Sequence, residues 1–439
     1  MSVSDRVAGW GRQFVAGREV LLEDLSHAPK ALFRGLGRSY GDSSLPPTSN
    51  PLVVNTTRAN RIVRFDGDAG LLRAEAGLSL YDLNRVFLPR GWFVPVTPGT
   101  QFVTLGGMVA ADVHGKNHHV DGCIGQHLTR LELRLADGQV LECGPDLERE
   151  LFLATVSGMG LTGQILEVEL PLRRIPTPWI WQESERVEDI DEYVTKLKEA
   201  AEHWPMTVGW IDCLSRGAHM GRGILMKGRW AQSHEAPTAF PRELPNVRFP
   251  FQAPELVLSR LAVQAFNFGY YWKHLPRKKT GLVDPFAFFY PLDFVKDWNL
   301  VYGRRGLTQY QCVLPDSAGP DAARRFLEVL TQRGGASFLC VIKDCGPESA
   351  AYLSFPMKGM SVALDIAVRD DTQALVDALN EFVLSVGGRI YLAKDHFTRP
   401  EHFRAMEKRL DRFLEVRHKW DPQLCFKSAQ SVRLFGDPS

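Results

Sequence analysis

The 439-residue chain has no surplus of charge of either sign. Its 52 lysines and arginines face 51 aspartates and glutamates, a net charge of +1. Broad binding along a nucleic-acid backbone needs a basic surplus, so no nucleic-acid partner is expected. A local basic pocket for one anionic ligand remains compatible with that balance. Cysteine is sparse: Cys123, Cys143, Cys213, Cys312, Cys340, Cys345 and Cys425 are odd in number, scattered, and never form C-x-x-C. That spacing speaks against a disulfide framework or a cysteine zinc site and for a reducing compartment. No run approaches the ~20 consecutive apolar residues of a membrane span. The longest, such as Phe286–Tyr290, has the length of a core strand. Met1 to Val20 mixes Asp5, Arg6, Arg12 and Arg18 with short apolar runs, without the apolar stretch of a secretory signal. The expectation is a cytoplasmic chain, with at most peripheral contact at the inner membrane face. No internal repeat or low-complexity segment is visible. What is present is ordinary globular composition, 44% hydrophobic and 23% charged, in a chain long enough for two or three domains.

Three zones follow one another: residues 1–175, 176–388 and 389–439. In the first, Leu52–Val54 and Ile62–Phe65 read as buried strands. Leu131, Leu133 and Leu135 alternate with polar residues, then Asp137-Gly138 and Gln139–Cys143 complete a hairpin signal, for which a type I′ turn is expected. Ser79 caps a helix carrying Leu80, Leu83 and Phe87 on one face, with Gly91 beyond its end. In the second zone, helices are expected after Pro320 and over Asp371–Ser385, with strands at Leu307–Leu314 and Ser361–Val368. Helices alternating with such strands suggest an antiparallel sheet covered on one face. Residues 231–285, rich in proline and aromatics without clear period, read as an irregular excursion. The third zone has a short strand, Arg389–Leu392, and one helix with Phe403, Met406, Leu410 and Phe413 on a face.

Several clusters could carry chemistry. Arg34-Gly-Leu-Gly-Arg-Ser-Tyr-Gly-Asp42 lets backbone N–H groups converge on phosphate oxygens. Its Gly37-Arg-Ser39-Tyr-Gly41 matches a hydrolase elbow in letters only, because Pro46-Pro47 follows where a helix is needed. Gly158-Met-Gly160-Leu-Thr-Gly163 has a helix-like segment before it and a strand after it, the reverse of a dinucleotide-binding unit. Thr97-Pro-Gly99-Thr, Val103-Thr-Leu-Gly-Gly-Met108 and His114-Gly-Lys-Asn-His-His119 form the richest stretch. Its small residues permit close approach of backbone to a flat ring. His114 and His118 lack the helix and the glutamate of a zinc site, so no metal is expected. Gln309 and Gln311 point to one sheet face, where they and Lys343 could read hydroxyls or a phosphate; a solvated face accounts for them equally. Lys394 ends a strand and can act as a base if desolvation lowers its pKa; the alternative is a surface lysine paired with Asp395.

Taken together, these segments resemble the decaprenylphosphoryl-β-D-ribose 2′-oxidase family of the vanillyl-alcohol-oxidase-like flavoproteins. The resemblance rests on Phe33–Asp42, Val96–Thr100, Thr104–Gly107, His114–His119 and Gly158–Gly163, then on Phe289–Asp293, Gln309–Gln311, Ser337–Lys343, Leu353–Pro356, Tyr391–Asp395 and Arg417–Pro422. It implies an α+β, two-domain PCMH-type FAD-binding fold, with residues 1–175 and 389–439 holding FAD and an antiparallel-sheet substrate domain between them. Arg34, Gly35, Leu36, Gly37, Arg38, Ser39, Tyr40 and Gly41, with Thr104, Leu105, Gly106 and Gly107, would line the pyrophosphate and adenosine. Thr97, Gly99, Gly160 and Gly163 would also touch the cofactor. His114, Gly115, Lys116, Asn117, Ile165 and Tyr391 would approach the flavin, bound non-covalently. Lys116, Tyr290, Gln309, Gln311, Lys343, Ala363 and Lys394 would hold the substrate.

The activity so implied is oxidation of a sugar hydroxyl, the 2′-OH of a polyprenyl-phospho-ribose-like substrate, by hydride transfer to flavin N5. Lys394 would take the hydroxyl proton or orient the hydroxyl. Electrons would pass to a quinone or oxygen, and a separate NADH-dependent reductase would complete an epimerisation. The chain departs from the resembled family in one place: Ala363 stands where well-known members carry a reactive cysteine, and Ser361 where an asparagine is frequent. Reagents that attack that cysteine are expected to form no adduct here. A soluble polyol or aldonolactone oxidase using oxygen is the competing enzyme, and a flavin-less binding subunit the non-enzymatic alternative.

Overall fold

The computed structural model describes residues 6–241 and 247–439. After a short antiparallel hairpin of Arg6–Ala8 with Phe14–Ala16 comes a small parallel sheet: β1 (Arg18–Leu21), β2 (Leu32–Arg34) and β3 (Leu52–Asn55), with β3 in the middle. Next come β4 (Ile62–Asp66), β5 (Leu71–Glu75), helix α1 (Leu80–Phe87), helix α2 (Leu105–Ala110), β6 (Arg130–Arg134), β7 (Val140–Cys143), helix α3 (Arg149–Thr155) and β8 (Gln164–Pro171). Their strands form an antiparallel sheet of order β7-β6-β8-β5-β4. Ser79 accepts from the Asp82 amide at 3.0 Å and starts α1, and Gly91 closes its 3₁₀ extension at φ 78°. Both follow the sequence pattern.

The hairpin β6–β7 is present, but its turn differs from the expected type I′. Leu135 O accepts from Gly138 N at 3.0 Å, and Gly138 alone has positive φ. This is a three-residue loop, a type I turn closed by a left-handed glycine. Ile62 and Val63, expected to be buried, are exposed, because β4 is the sheet's outer edge.

The larger sheet holds β9 (Ile180–Val187), β10 (Met206–Ile211), β11 (Gly223–Trp230), β12 (Lys278–Val283), β13 (Leu307–Pro315), β14 (Cys340–Cys345), β15 (Gly359–Ala367) and β16 (Arg389–Ile390). Its order is β12-β9-β11-β10-β14-β15-β13-β16, antiparallel throughout. Helix α4 (Ile190–His203) lies between β9 and β10, α5 (Arg260–Trp272) precedes β12, α6 (Ala322–Gln332) lies between β13 and β14, and α7 (Thr372–Ser385) precedes β16. An internal repeat emerges here. β9-α4-β10-β11 and β13-α6-β14-β15 share one strand–helix–strand–strand topology and meet at β10 and β14. The repeat is one of topology, not of residues, so the sequence does not display it.

One face of this sheet is the core. Cys312, Val362 and Ile342 turn to Leu197 of α4, Phe326 and Leu330 of α6, and Leu379 and Val383 of α7. At roughly 25 cal/mol per Å² of apolar surface removed from water, these side chains supply the main favourable term holding the sheet to its helices. The opposite face is polar where the register places Gln309 beside Asp365, Gln311 beside Ala363, and Lys343 beside Ser361.

The excursion at 231–285 is more regular than expected. It contains all of α5 and all of β12; residues 242–246 lie outside the described residues. The single helix expected over 403–413 is two, α8 (Pro400–Met406) and α9 (Leu410–Trp420). They break at the buried Glu407, whose carboxylate accepts from Arg409 N (3.1 Å) and Nε (2.8 Å). A final helix, α10 (Ala429–Phe435), follows, beyond the elements expected from the sequence. Among the described residues no helix is long and apolar enough to cross a membrane, and no cluster of His, Cys, Asp and Glu is arranged to hold a metal ion.

Candidate active site

The polar face of the larger sheet meets three loops: 34–42, 97–117 and 391–396. Their backbones are pinned to one another. Tyr40 N donates to Ala393 O at 3.0 Å, and Gly41 lies so close to Asp395 that a Cβ would sit 1.6 Å from its carbonyl oxygen. Gly35 abuts Thr104, which caps α2 through Gly107 N at 3.2 Å. Arg433 of α10 grips both Asp42 oxygens (2.8 and 2.7 Å) and Asp395 Oδ2 (2.8 Å). Asp395 is thereby taken by Arg433, and the alternative of a surface Lys394–Asp395 pair does not hold.

Lys394 instead turns inward. Its Nζ lies 4.2 Å from the centre of the Tyr40 ring and makes no hydrogen bond among the described residues. Burial pulls its ammonium down to about 7, against the attraction of Asp365 and with the repulsion of Lys343. Tyr40, grouped by sequence with the pyrophosphate loop, is thus also the floor beneath Lys394. Asp365 accepts from Gln309 Nε2 at 2.6 Å and from the Tyr302 hydroxyl at 3.2 Å, and burial raises its carboxyl to about 6.

Lys116 donates to Phe289 O at 3.0 Å, and burial, with repulsion from Lys343, takes it to about 7. Burial also lowers Lys343. Lys343 therefore repels both Lys116 and Lys394 across this face, and Asp365 is the carboxylate that attracts Lys394. His114 accepts from Gln311 Nε2 at 2.9 Å and packs against Phe355 and Tyr391, with ring centres 5.3 and 5.2 Å away. That bond makes His114 a neutral acceptor at Nε2, and burial holds its pKa well below the usual histidine value. Gln311 also donates to Ser361 Oγ at 3.1 Å. Tyr391 donates its hydroxyl to Ala111 O at 2.8 Å.

The structure brings together Tyr40, His114, Lys116, Gln309, Gln311, Lys343, Ala363, Tyr391 and Lys394 through these contacts. Several side chains named from the sequence also hold protein partners or packing places of their own. Tyr290, read as a substrate residue, has its hydroxyl held by Thr97 Oγ1 (2.7 Å) and Asn84 Nδ2 (3.1 Å). Gln309 spends its amide N–H on Asp365. Arg34 is committed to Glu19 and to the carbonyls of Ala8 and Ser44. Arg38 stacks on Trp10 and Phe102 at 4.0 and 5.2 Å. Leu36 is exposed, and Ile165 packs in the core. Asn117 donates to Pro95 O and Asp121 and fixes its loop. Arg433, Asp365, Tyr302 and Asn84 join the site without a motif of their own; Asp42 and Arg433 stand 391 residues apart and carry no local signal.

Residues 26–144 match the model of an FAD-binding domain, and residues 345–434 that of D-arabinono-1,4-lactone oxidase. The chain is 33% identical to decaprenylphosphoryl-β-D-ribose oxidase of Mycolicibacterium smegmatis over 99% of its own length and 98% of the relative's. It is 22% identical to L-gulonolactone oxidase of Mus musculus over 95% of the chain and 92% of the relative. A putative D-arabinono-1,4-lactone oxidase of Neurospora crassa is 30% identical over 30% of the chain and 23% of the relative.

The site's own features fit an FAD group. His114 Nδ1, His118 Nε2 and both amide atoms of Gln164 are buried without a protein partner. Buried polar atoms of this kind normally find one. Gly99 and Gly160 have open space where a Cβ would stand, and Gly160 holds a φ of 79° that favours glycine.

Proposed function

The chain belongs to the decaprenylphosphoryl-β-D-ribose oxidase family of FAD-dependent oxidoreductases, and on that premise we propose that it oxidises a ring hydroxyl of a sugar carried on a polyprenyl phosphate to the ketone, the 2′-OH of a ribose-like unit. FAD when bound supplies the acceptor for the hydride leaving the carbinol carbon. The segments 34–41, 104–107, 97–99, 114–117 and 160–165, with Tyr391, would hold it non-covalently. Acid precipitation should then leave the yellow flavin in the supernatant.

The observation that carries the reading is the convergence of Lys116, Lys343 and Lys394 with one opposing carboxylate. Three partly buried ammonium groups are costly without an anion, and a phosphodiester supplies one. Lys394, with a substantial neutral fraction near pH 7, accepts the hydroxyl proton as the C–H bond breaks. Lys116 and Lys343 bind the charged end, and Gln311 and Ser361 offer polar atoms to the sugar. Orienting the C–H is the larger contribution of the chain.

The division of the chain into a FAD part (1–175 and 389–439) and a substrate part (176–388) is likewise our proposal. Arg389–Ile390, at the junction of the two parts, pair with β13 of the larger sheet. A quinone or oxygen as acceptor and a separate NADH-dependent reductase as the next enzyme complete the reading.

Anaerobic addition of a polyprenyl-phosphate riboside should bleach the 450 nm flavin band, and free sugars should not. The lactone-oxidase match over 345–434 favours a second reading, oxidation of a free aldonolactone by oxygen. That reading predicts hydrogen peroxide release with soluble lactones and no requirement for the phosphate.

A further inference from the structure

Helix α5 carries two apolar stripes. Val263, Asn267 and Tyr271 turn inward; Tyr271 packs with Trp210 and Ile224 on the polar-face side of the large sheet, and Asn267 bonds Asp212 at 2.9 Å. The other stripe, Leu261, Ala265, Phe268 and Trp272, follows i, i+4, i+7, i+11 and faces solvent. Leu261 is 78% exposed, Phe268 57%, and Leu275 just beyond the helix 65%; Phe251 and Leu256 before it are 61% and 79% exposed. Folded chains rarely leave so many large apolar side chains together in water without a partner.

The charge beside this stripe has one sign. From residue 256 to residue 283 there are five cations, Arg260, Lys273, Arg277, Lys278 and Lys279, and no aspartate or glutamate. Arg277 and Lys278 pair with Glu188, Glu192 and Glu183 of the neighbouring segment. Arg260, Lys273 and Lys279 pair with no carboxylate among the described residues. Leu258 and Val263 of the same segment line a cleft that runs inward to Tyr302 and Asp365.

We propose that the outward face of α5, with the approach at 251–258 and Leu275, is a docking surface for an anionic phospholipid bilayer. An exposed apolar stripe flanked by aromatics and unpaired lysines matches the interface of a membrane, where rings enter the headgroup boundary and cations meet anionic lipid. A second copy of the chain would set the same lysines against one another. The inference goes beyond the function proposed above and takes from it only the lipid nature of the substrate. On that reading, the cleft under α5 opens toward the membrane that holds the substrate.

The test is flotation of the FAD-loaded protein with vesicles of phosphatidylglycerol and phosphatidylcholine (1:1), and with phosphatidylcholine alone, without any sugar ligand. The protein should float with the anionic vesicles and lose that association at high salt. The double variant Lys273→Gln, Lys279→Gln should bind about thirtyfold more weakly. Leu261→Asn with Phe268→Asn should abolish flotation while flavin content and melting temperature stay unchanged, which separates surface loss from misfolding. Failure of the unmodified protein to float, or equal flotation of the Leu261/Phe268 variant, overturns the proposal. A dimer in sedimentation that dissociates in that variant also overturns it, in favour of a second copy as the occupant. None of these outcomes depends on which sugar is oxidised.

Discussion

Burial of Lys394 sets the pH dependence expected of it as the proposed base. The neutral amine accepts the proton, so kcat/KM should rise with pH through about 7 and level above it. Lys394→Met should lower the rate of flavin reduction by about 10²–10⁴-fold while FAD stays bound, measured by stopped-flow bleaching. Asp365 acts on Lys394 through its charge. A carboxylate favours the ammonium, so its removal lowers the lysine pKa. Asp365→Asn should therefore move the acid limb of the profile to lower pH; an unmoved limb would mean that Asp365 only braces Gln309 and Tyr302. At Ala363, between Gln311 on β13 and Val341 on β14, the native chain offers no thiol. Intact mass should show no site adduct with reagents aimed at a cysteine there, and Ala363→Cys should create one.

Between elements, the loops are positioned by close backbone approach. Gly41 leaves no room for a methyl group against Asp395, so Gly41→Ala must push 34–42 away from 391–396. Overpacking of this kind costs about 1–3 kcal/mol. The variant should melt lower and purify with less FAD than the parent, seen in the 280/450 nm ratio. How far each element was legible depended on pattern contrast. α1 was readable from Ser79, its apolar spacing and Gly91. α5 was not, because apolar residues occupy both its inner and outer stripes and erase the period. The 403–413 stretch kept a helical period across two helices, and only the buried carboxylate of Glu407, clasped by Arg409, shows why the chain stops and restarts.

Across the whole molecule, long-range ion pairs join what the sequence keeps apart. Arg417 of α9 is fully buried and donates to Asp437 (2.9 and 2.7 Å), to Phe426 O (2.8 Å) and to Leu161 O (3.2 Å). It thus holds the 158–163 connection against the last helices. Arg417→Met strands the buried Asp437 carboxylate and should cost about 3–5 kcal/mol, read in urea unfolding. FAD retention should fall with it, since Gly160 and Gly163, proposed above to touch the cofactor, lose their support.

The runs that build the candidate site were legible in the sequence, because the glycine clusters, His114–Lys116 and Tyr391–Lys394 are local and their chemistry is visible letter by letter. The fold class was legible for the same reason, through strand alternation and helix caps. Tertiary structure alone decided that Tyr290 turns to Thr97 and Asn84, that Arg433 and not Lys394 holds Asp395, and that Asp365 faces Lys394. It also alone shows two like-built halves of one sheet. Those facts depend on pairs separated by tens to hundreds of residues. Burial and field at such pairs arise only when the chain closes on itself, and no local pattern encodes them.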